Sequence, residues 1–116
     1  MTATPPMVRA LRGAITVDRD DPAEVRAATA EMLAALMDRN GVAIDDIISL
    51  MFTATQDLTS EFPAVAAREM GMNRVPLMCA AEIDVPGALP QCIRVMFHCH
   101  MPPDRAPRHV YLRGAR

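Results

Sequence analysis

An arginine in the middle of an apolar strand is the most chemically pointed feature of this sequence. In Cys92-Ile93-Arg94-Val95-Met96-Phe97-His98, a period of two sets Cys92, Arg94, Met96 and His98 on one face and Ile93, Val95 and Phe97 on the other. A charge at such a position needs an anionic partner or open water, because an unpaired buried charge is strongly unfavourable. Val8–Val17 repeats the pattern: Arg12 shares a face with Ala10 and Ala14, opposite Leu11, Ile15 and Val17. Glu82 and Asp84 follow the apolar segment Val75–Cys79, and Arg68 falls on a predicted helix. Structural ion pairs between sheet and helices explain these residues as well as a pocket does. The sharper alternative is a pocket lined by several Arg and one Glu, suited to a small dianion that carries a hydroxyl. The planar guanidinium fork donates two parallel hydrogen bonds and so matches carboxylates.

Other constellations carry less. His98-Cys99-His100, with Cys79 and Cys92, invites a zinc reading, but tetrahedral sites favour closer, loop-supported pairs such as CxxC. Cys79 has no sequence-adjacent His or helix N-terminus to lower its pKa, which argues against a nucleophile. The ten Met residues read as core filler, and Asp18-Arg19-Asp20-Asp21 as a solvated turn.

The elements that must position these groups follow from periodicity. Val8–Val17 reads as a strand. Asp21-Pro22-Ala23-Glu24 starts a helix, with Asp21 as cap, Pro22 in the first position and Glu24 closing a capping box. Apolar spacing carries that helix over Pro22–Arg39 until Asn40-Gly41 stops it. Ile47–Thr55 reads as a buried strand and Gln56–Ser60 as a polar loop. Phe62-Pro63 opens a second helix running to about Met70, where Gly71 ends it. Val75–Ala80 is a short strand, Val85–Pro90 an irregular connection and Cys92–His100 the most strand-like stretch. Met101–Pro107, with three prolines, is a loop before a last short strand, His109–Leu112. The order β-α-β-α-β-β-β predicts an α+β fold, a mixed sheet with two helices on one face.

Composition sets the bounds. A chain of 116 residues predicts a single domain, 1–116, with a flexible N-terminal tail at 1–7 and a short tail at 113–116. A net charge of −2 leaves no electrostatic footprint for nucleic acid or an anionic membrane. Three cysteines without CxxC spacing, no apolar h-region near Met1 and no long apolar run predict a soluble cytoplasmic protein. Nothing in the residues demands a metal or a cofactor.

Five segments together resemble the AroH class of chorismate mutases. They are Leu11-Arg12-Gly13-Ala14-Ile15-Thr16-Val17; Phe62-Pro63-Ala64 with Arg68; Val75 through Val85; Cys92-Ile93-Arg94-Val95-Met96; and His109-Val110-Tyr111-Leu112. They occur in order from about Val8 to Leu112; each is weak alone and the set is specific. The resemblance implies a homotrimeric pseudo-barrel with helices outside, active sites between neighbouring subunits, and the cofactor-free rearrangement of chorismate to prephenate in phenylalanine and tyrosine biosynthesis. It implies Arg94 as the cation at the breaking ether bond and Glu82 as acceptor for the substrate hydroxyl. Arg12 and Tyr111 would hold carboxylates, Cys79 would lie near the hydroxyl, and Phe62 and Arg68 would stand at the mouth, supplied by the facing subunit. Two departures stand out. Val65 replaces a Lys that the family often carries, and the sequence stops at Arg113-Gly114-Ala115-Arg116, where the family usually continues into a Leu-Arg tail that closes over substrate. The expectation is weaker substrate binding with the chemistry largely intact.

Two function classes remain at this point. One is the enzyme; the other is a non-catalytic trimeric protein that binds a small metabolite on a similar scaffold. Joint retention of Arg12, Glu82, Arg94 and Tyr111 separates them, since a binder has no need of that combination.

Overall fold

The computed structural model describes residues 5–116 of the chain. Its elements are β1 (Met7–Thr16), α1 (Pro22–Asn40), β2 (Ile47–Ala54), α2 (Ala64–Glu69), β3 (Leu77–Ala81), β4 (Cys92–Met101) and β5 (Val110–Leu112). The strands form one mixed sheet in the order β3-β2-β4-β1-β5. The two inner contacts, β1 with β4 and β2 with β4, are antiparallel, whereas the outer pairs, β2 with β3 and β1 with β5, are parallel. The expected order and the mixed sheet are both present.

Alternation sorts the sheet into two unlike faces. Leu11, Ile15, Leu50, Phe52, Ile93, Val95 and Phe97 are all almost completely buried, and α1 supplies Val25, Met32, Leu33 and Leu36 against them. Gly13 lets the helix come close: a Cβ there would sit 2.9 Å from Leu36 Cδ1 and 3.1 Å from both Met32 Cγ and Val95 Cγ1. Helix α2 packs on α1 and β3 and adds Ala64 and Ala67 to the same core. Among the described residues the opposite face carries no helix. Met51, Met78, Met96 and Tyr111 are exposed there, between 37% and 59%.

Local chemistry accounts for the element ends, including those that differ from expectation. Asp21 caps α1 by accepting a hydrogen bond from the Glu24 amide at 3.1 Å, and Gly41 ends the helix at φ +61°. The capping box closes only halfway. Glu24 accepts from Arg19 Nε at 2.8 Å, and the Asp21 amide donates to the Arg19 carbonyl instead. Strand β3 begins at Leu77 rather than Val75 because Pro76 has no N–H; only its carbonyl joins the ladder, accepting from the Leu50 amide.

Asp20 is not merely part of a solvated turn. Its carboxylate accepts from the Thr59 and Ser60 amides and the Thr59 hydroxyl, each at about 3.0 Å, which ties the loop before α2 to the end of β1. The N-terminal segment expected at 1–7 is already strand at Met7, and residues 1–4 lie outside the described residues. At the other end Arg113–Ala115 form a 3-10 turn against β1, where the Gly114 amide donates to Thr16 Oγ1 at 2.9 Å. No helix among the described residues is long and apolar enough to cross a membrane.

Candidate active site

The helix-free face of the sheet gathers the charged residues of interest. Strand register puts Ala80, Thr53, Arg94, Ala14 and Tyr111 in one row across all five strands. Arg94 and Tyr111 thus share a face, two strands apart, or roughly 10 Å at ordinary strand spacing. Arg12 lies on the same face two residues along β1, about 7 Å from that row, opposite Met96. The small Ala14 between them keeps the surface open.

Glu82 completes the group from the edge. Its amide donates to the Ala54 carbonyl at 2.9 Å, which extends β3 by one residue and swings the side chain over the row. One carboxylate oxygen accepts from Arg94 Nη1 and the other accepts from the Thr53 hydroxyl at 2.7 Å. Gln56 Nε2 donates to the Glu82 carbonyl at 3.0 Å and braces its backbone. The hydrogen bond that Arg94 donates to Glu82 holds its guanidinium above its already high ordinary pKa, so it stays charged throughout the working range. Side-chain exposures of 34% for Arg94 and 19% for Glu82 leave both within reach of a ligand. Among the described residues no carboxylate lies within ion-pair distance of Arg12. That cation remains available to an anion.

The remaining expected site residues lie elsewhere. Cys79 pairs with Phe52 in the register, so its side chain is on the helix-bearing face, the reverse of Arg94. With Phe62, which is 69% exposed, it lines a hollow of about 520 Å³ at the β3 edge, together with Ala54, Leu58, Pro63 and Ala81. Arg68 faces a smaller hollow, with Asn73, Val75 and Leu77, nearer the start of β3. Within one chain the structure therefore unites Arg94 with Glu82, sets Tyr111 and Arg12 beside them, and keeps Phe62, Cys79 and Arg68 apart from that group.

Thr53 is the functional neighbour that sequence reasoning overlooked. Alternation within the predicted strand at Ile47–Thr55 contained a signal for it, because Ser49, Met51 and Thr53 share the helix-free face. The histidines fall outside the group. His98 lies on the helix-free face with Nδ1 3.4 Å from Ser49 Oγ, whereas Cys99 between it and His100 is buried on the other face. Burial pushes the Cys99 thiol up to about 11, so it stays protonated and unreactive. All three cysteines are free thiols.

What this arrangement can do is electrostatic. A fixed guanidinium beside a fixed carboxylate offers a donor and an acceptor a few ångströms apart, with a second cation and a phenol for further anionic groups. Known proteins share the chain's pattern almost end to end. It is 50% identical over 112 residues to the chorismate mutase AroH of Thermus thermophilus, covering 94% of this chain and 91% of that protein. It is 41% identical over 109 residues to the chorismate mutase AroH of Bacillus subtilis, covering 91% and 85%. A solved chorismate mutase from Clostridium thermocellum superimposes with a TM-score of 0.87 at 48% identity, over 92% of this chain and 96% of that one. Residues 8–116 match the family described as chorismate mutase type I, and the chain belongs to that family.

Proposed function

We propose that this protein isomerises chorismate to prephenate as a cytoplasmic homotrimer, with each active site shared by two subunits. The observation that carries the reading is the Arg94–Glu82 pair, clamped by Thr53 on the open sheet face beside Arg12 and Tyr111. In the rearrangement a C–O bond breaks ahead of C–C bond formation, so negative charge grows on the ether oxygen and positive character on the ring. Arg94 donates to that oxygen as charge develops, and Glu82 accepts from the ring hydroxyl on the positive side. Donors fixed before the reaction need no reorganisation during it, and they favour the polarised transition state over the neutral ether of the substrate.

Arg12 and Tyr111 take the roles of carboxylate contacts. With Tyr111 about 10 Å from Arg94 along the row and Arg12 about 7 Å off it, they span a small dicarboxylate and hold the enolpyruvyl arm over the ring, which removes the unproductive conformers. The rearrangement is unimolecular and transfers no group to the protein, so its atoms and electrons balance without a nucleophile.

The trimer reading rests on two surfaces. Met51, Met78, Met96 and Tyr111 form an exposed apolar patch on a sheet that is covered on one side only, and such a patch marks an interaction face. The Phe62–Cys79 hollow borders the opposite face, so a neighbouring copy can bring it against Arg94 where the same chain cannot. Arg68 then approaches from that neighbour's α2. The direct test is loss of the near-ultraviolet absorbance of chorismate with matching appearance of prephenate. Saturable conversion supports the reading; binding of chorismate by purified trimer without conversion would make it a metabolite-binding protein.

A further inference from the structure

Asn40 is a buried polar side chain that the chemistry above leaves unused. It is the last residue of α1, is 1% exposed, and its side chain makes three hydrogen bonds, all of them to backbone. Nδ2 donates to the Leu36 carbonyl at 2.8 Å and to the Arg108 carbonyl at 2.9 Å, while Oδ1 accepts from the Arg108 amide at 2.8 Å. The amide thus grips Arg108 at both of its backbone groups, as a neighbouring strand would. Arg105 Nη1 returns the tie by donating to the Asn40 carbonyl at 2.8 Å.

The other ties on this segment lie before Arg108: Arg9 Nη2 donates to the Pro103 carbonyl at 3.2 Å and the Arg105 amide donates to the Pro102 carbonyl at 3.1 Å. Between β4 and β5 the chain contains Pro102, Pro103 and Pro107, none with an N–H to donate, and β5 is only three residues long. Immediately after Arg108, the imidazole of His109 accepts from the Arg12 amide through Nδ1 at 2.9 Å, extending the parallel ladder by one side-chain rung. Two residues further on, Tyr111 stands opposite Ala14. The path runs Asn40, Arg108, His109, and then to both Arg12 and Tyr111.

We infer that Asn40 is a positioning residue for the substrate carboxylate grip, acting through the Arg108 backbone and the His109 imidazole on Arg12 and Tyr111. This rests on the reading of Arg12 and Tyr111 as carboxylate contacts. Arg94, Thr53 and Glu82 sit on β4, on β2 and just past the end of β3, off this path, so binding should suffer more than chemistry. Displacements of the order of 1 Å at a positioned group reach up to about a hundredfold in rate, and loss of binding alone raises KM with kcat kept.

The experiment compares steady-state chorismate kinetics of the full chain with Asn40→Ala, His109→Ala, His109→Asn and Thr29→Ala. Thr29 is fully buried on α1 but bonds only to the Val25 carbonyl of its own helix, so its loss weakens the fold without touching the path. Asn40→Ala should raise KM about tenfold with kcat within about threefold, and His109→Ala should move KM the same way. His109→Asn, which keeps an acceptor near the Nδ1 position, should stay near wild type, as should Thr29→Ala. An unchanged KM in folded Asn40→Ala, or an equal rise in Thr29→Ala, overturns the inference. Should Asn40→Ala not fold, an unchanged KM in His109→Ala overturns it instead. A wild-type chain that binds chorismate without converting it sinks the proposed function, and this inference falls with it; an active wild type with unaltered variants sinks this inference alone.

Discussion

Replacing Arg94 separates catalysis from stability, and the structure sets the expected size of each effect. The Arg94–Glu82 pair is partly open to water, with the Arg94 side chain 34% exposed. An ion pair in that setting contributes on the order of 0–1 kcal/mol to folding. Glu82 also keeps its hydrogen bond from Thr53 when Arg94 is removed, so no carboxylate is stranded. For a chain of this length that translates into a fall in Tm of about 5 °C or less. Catalysis is a different matter. A donor aimed at developing charge is worth about 2.7–4 kcal/mol, or roughly 10²–10³ in kcat. The bare Glu82 carboxylate would also face an anionic substrate, which pushes Arg94→Ala toward the larger figure. Arg94→Lys keeps the charge but loses the fork, so it cannot serve Glu82 and the ether oxygen together. Both variants should therefore stay folded, by calorimetry and far-ultraviolet circular dichroism, while kcat from chorismate absorbance drops at least a hundredfold. A folded Arg94→Ala or Arg94→Lys within tenfold of wild type would refute the assigned role. A loss of activity that merely tracked unfolding would do so too.

Two further outcomes follow from neighbouring contacts. Thr53→Val keeps the strand's shape but frees one oxygen of Glu82; kcat should fall about tenfold, consistent with loss of a single hydrogen bond to a charged group of about 1.5–3 kcal/mol. A Thr53→Val enzyme with unaltered kcat, measured by the same absorbance assay, would remove Thr53 from the site. The Asp20 anchor makes the loop before α2 acid-sensitive. Hydrogen bonding from Ser60 and Thr59 holds its carboxylate below the ordinary 3.8, so this contribution is complete above that pH and is lost as pH falls through the lowered value. Amide protection factors at Thr59 and Ser60, measured against the intrinsic rate at each pH, should fall below pH 3.8, and Asp20→Asn should show low protection already at neutral pH. Equal protection in the wild type and Asp20→Asn at neutral pH would count against the anchor.

What could be read from the sequence was what local pattern encodes. The period-two partition around Arg94 separated the two faces of β4, and Asp21-Pro22 and Asn40-Gly41 bounded α1 because caps and breakers act within a few residues. The order of elements and the mixed sheet followed from the same local cues. What local pattern could not carry was side-chain partnership across long stretches of chain. Thr53 meets Glu82 29 residues on, Asp20 meets Thr59 39 residues on, and Asn40 meets Arg108 68 residues on. Each of these read as an ordinary polar residue of a strand, a turn or a helix end. The half-formed capping box has a local origin instead: Glu24 accepts from Arg19 five residues before it, and the Asp21 amide turns to the Arg19 carbonyl. Alternation also sends Cys79 to the face opposite Arg94, so within one chain the two stay apart, and in the proposed trimer they would meet across a seam between copies.

That seam can be tested by mixing subunits. One variant, Arg94→Ala, keeps the Phe62–Cys79 hollow intact; the other, Phe62→Asp combined with Arg68→Glu, keeps Arg94 and Glu82 intact but sets negative charge at the mouth. Each should be nearly inactive alone. Unfolded together and refolded as mixed trimers, they should regain chorismate mutase activity, because some seams then join an intact Arg94 face to an intact hollow from the neighbour. No recovery, with mixed trimers confirmed by native mass spectrometry, would contradict a site shared between two subunits.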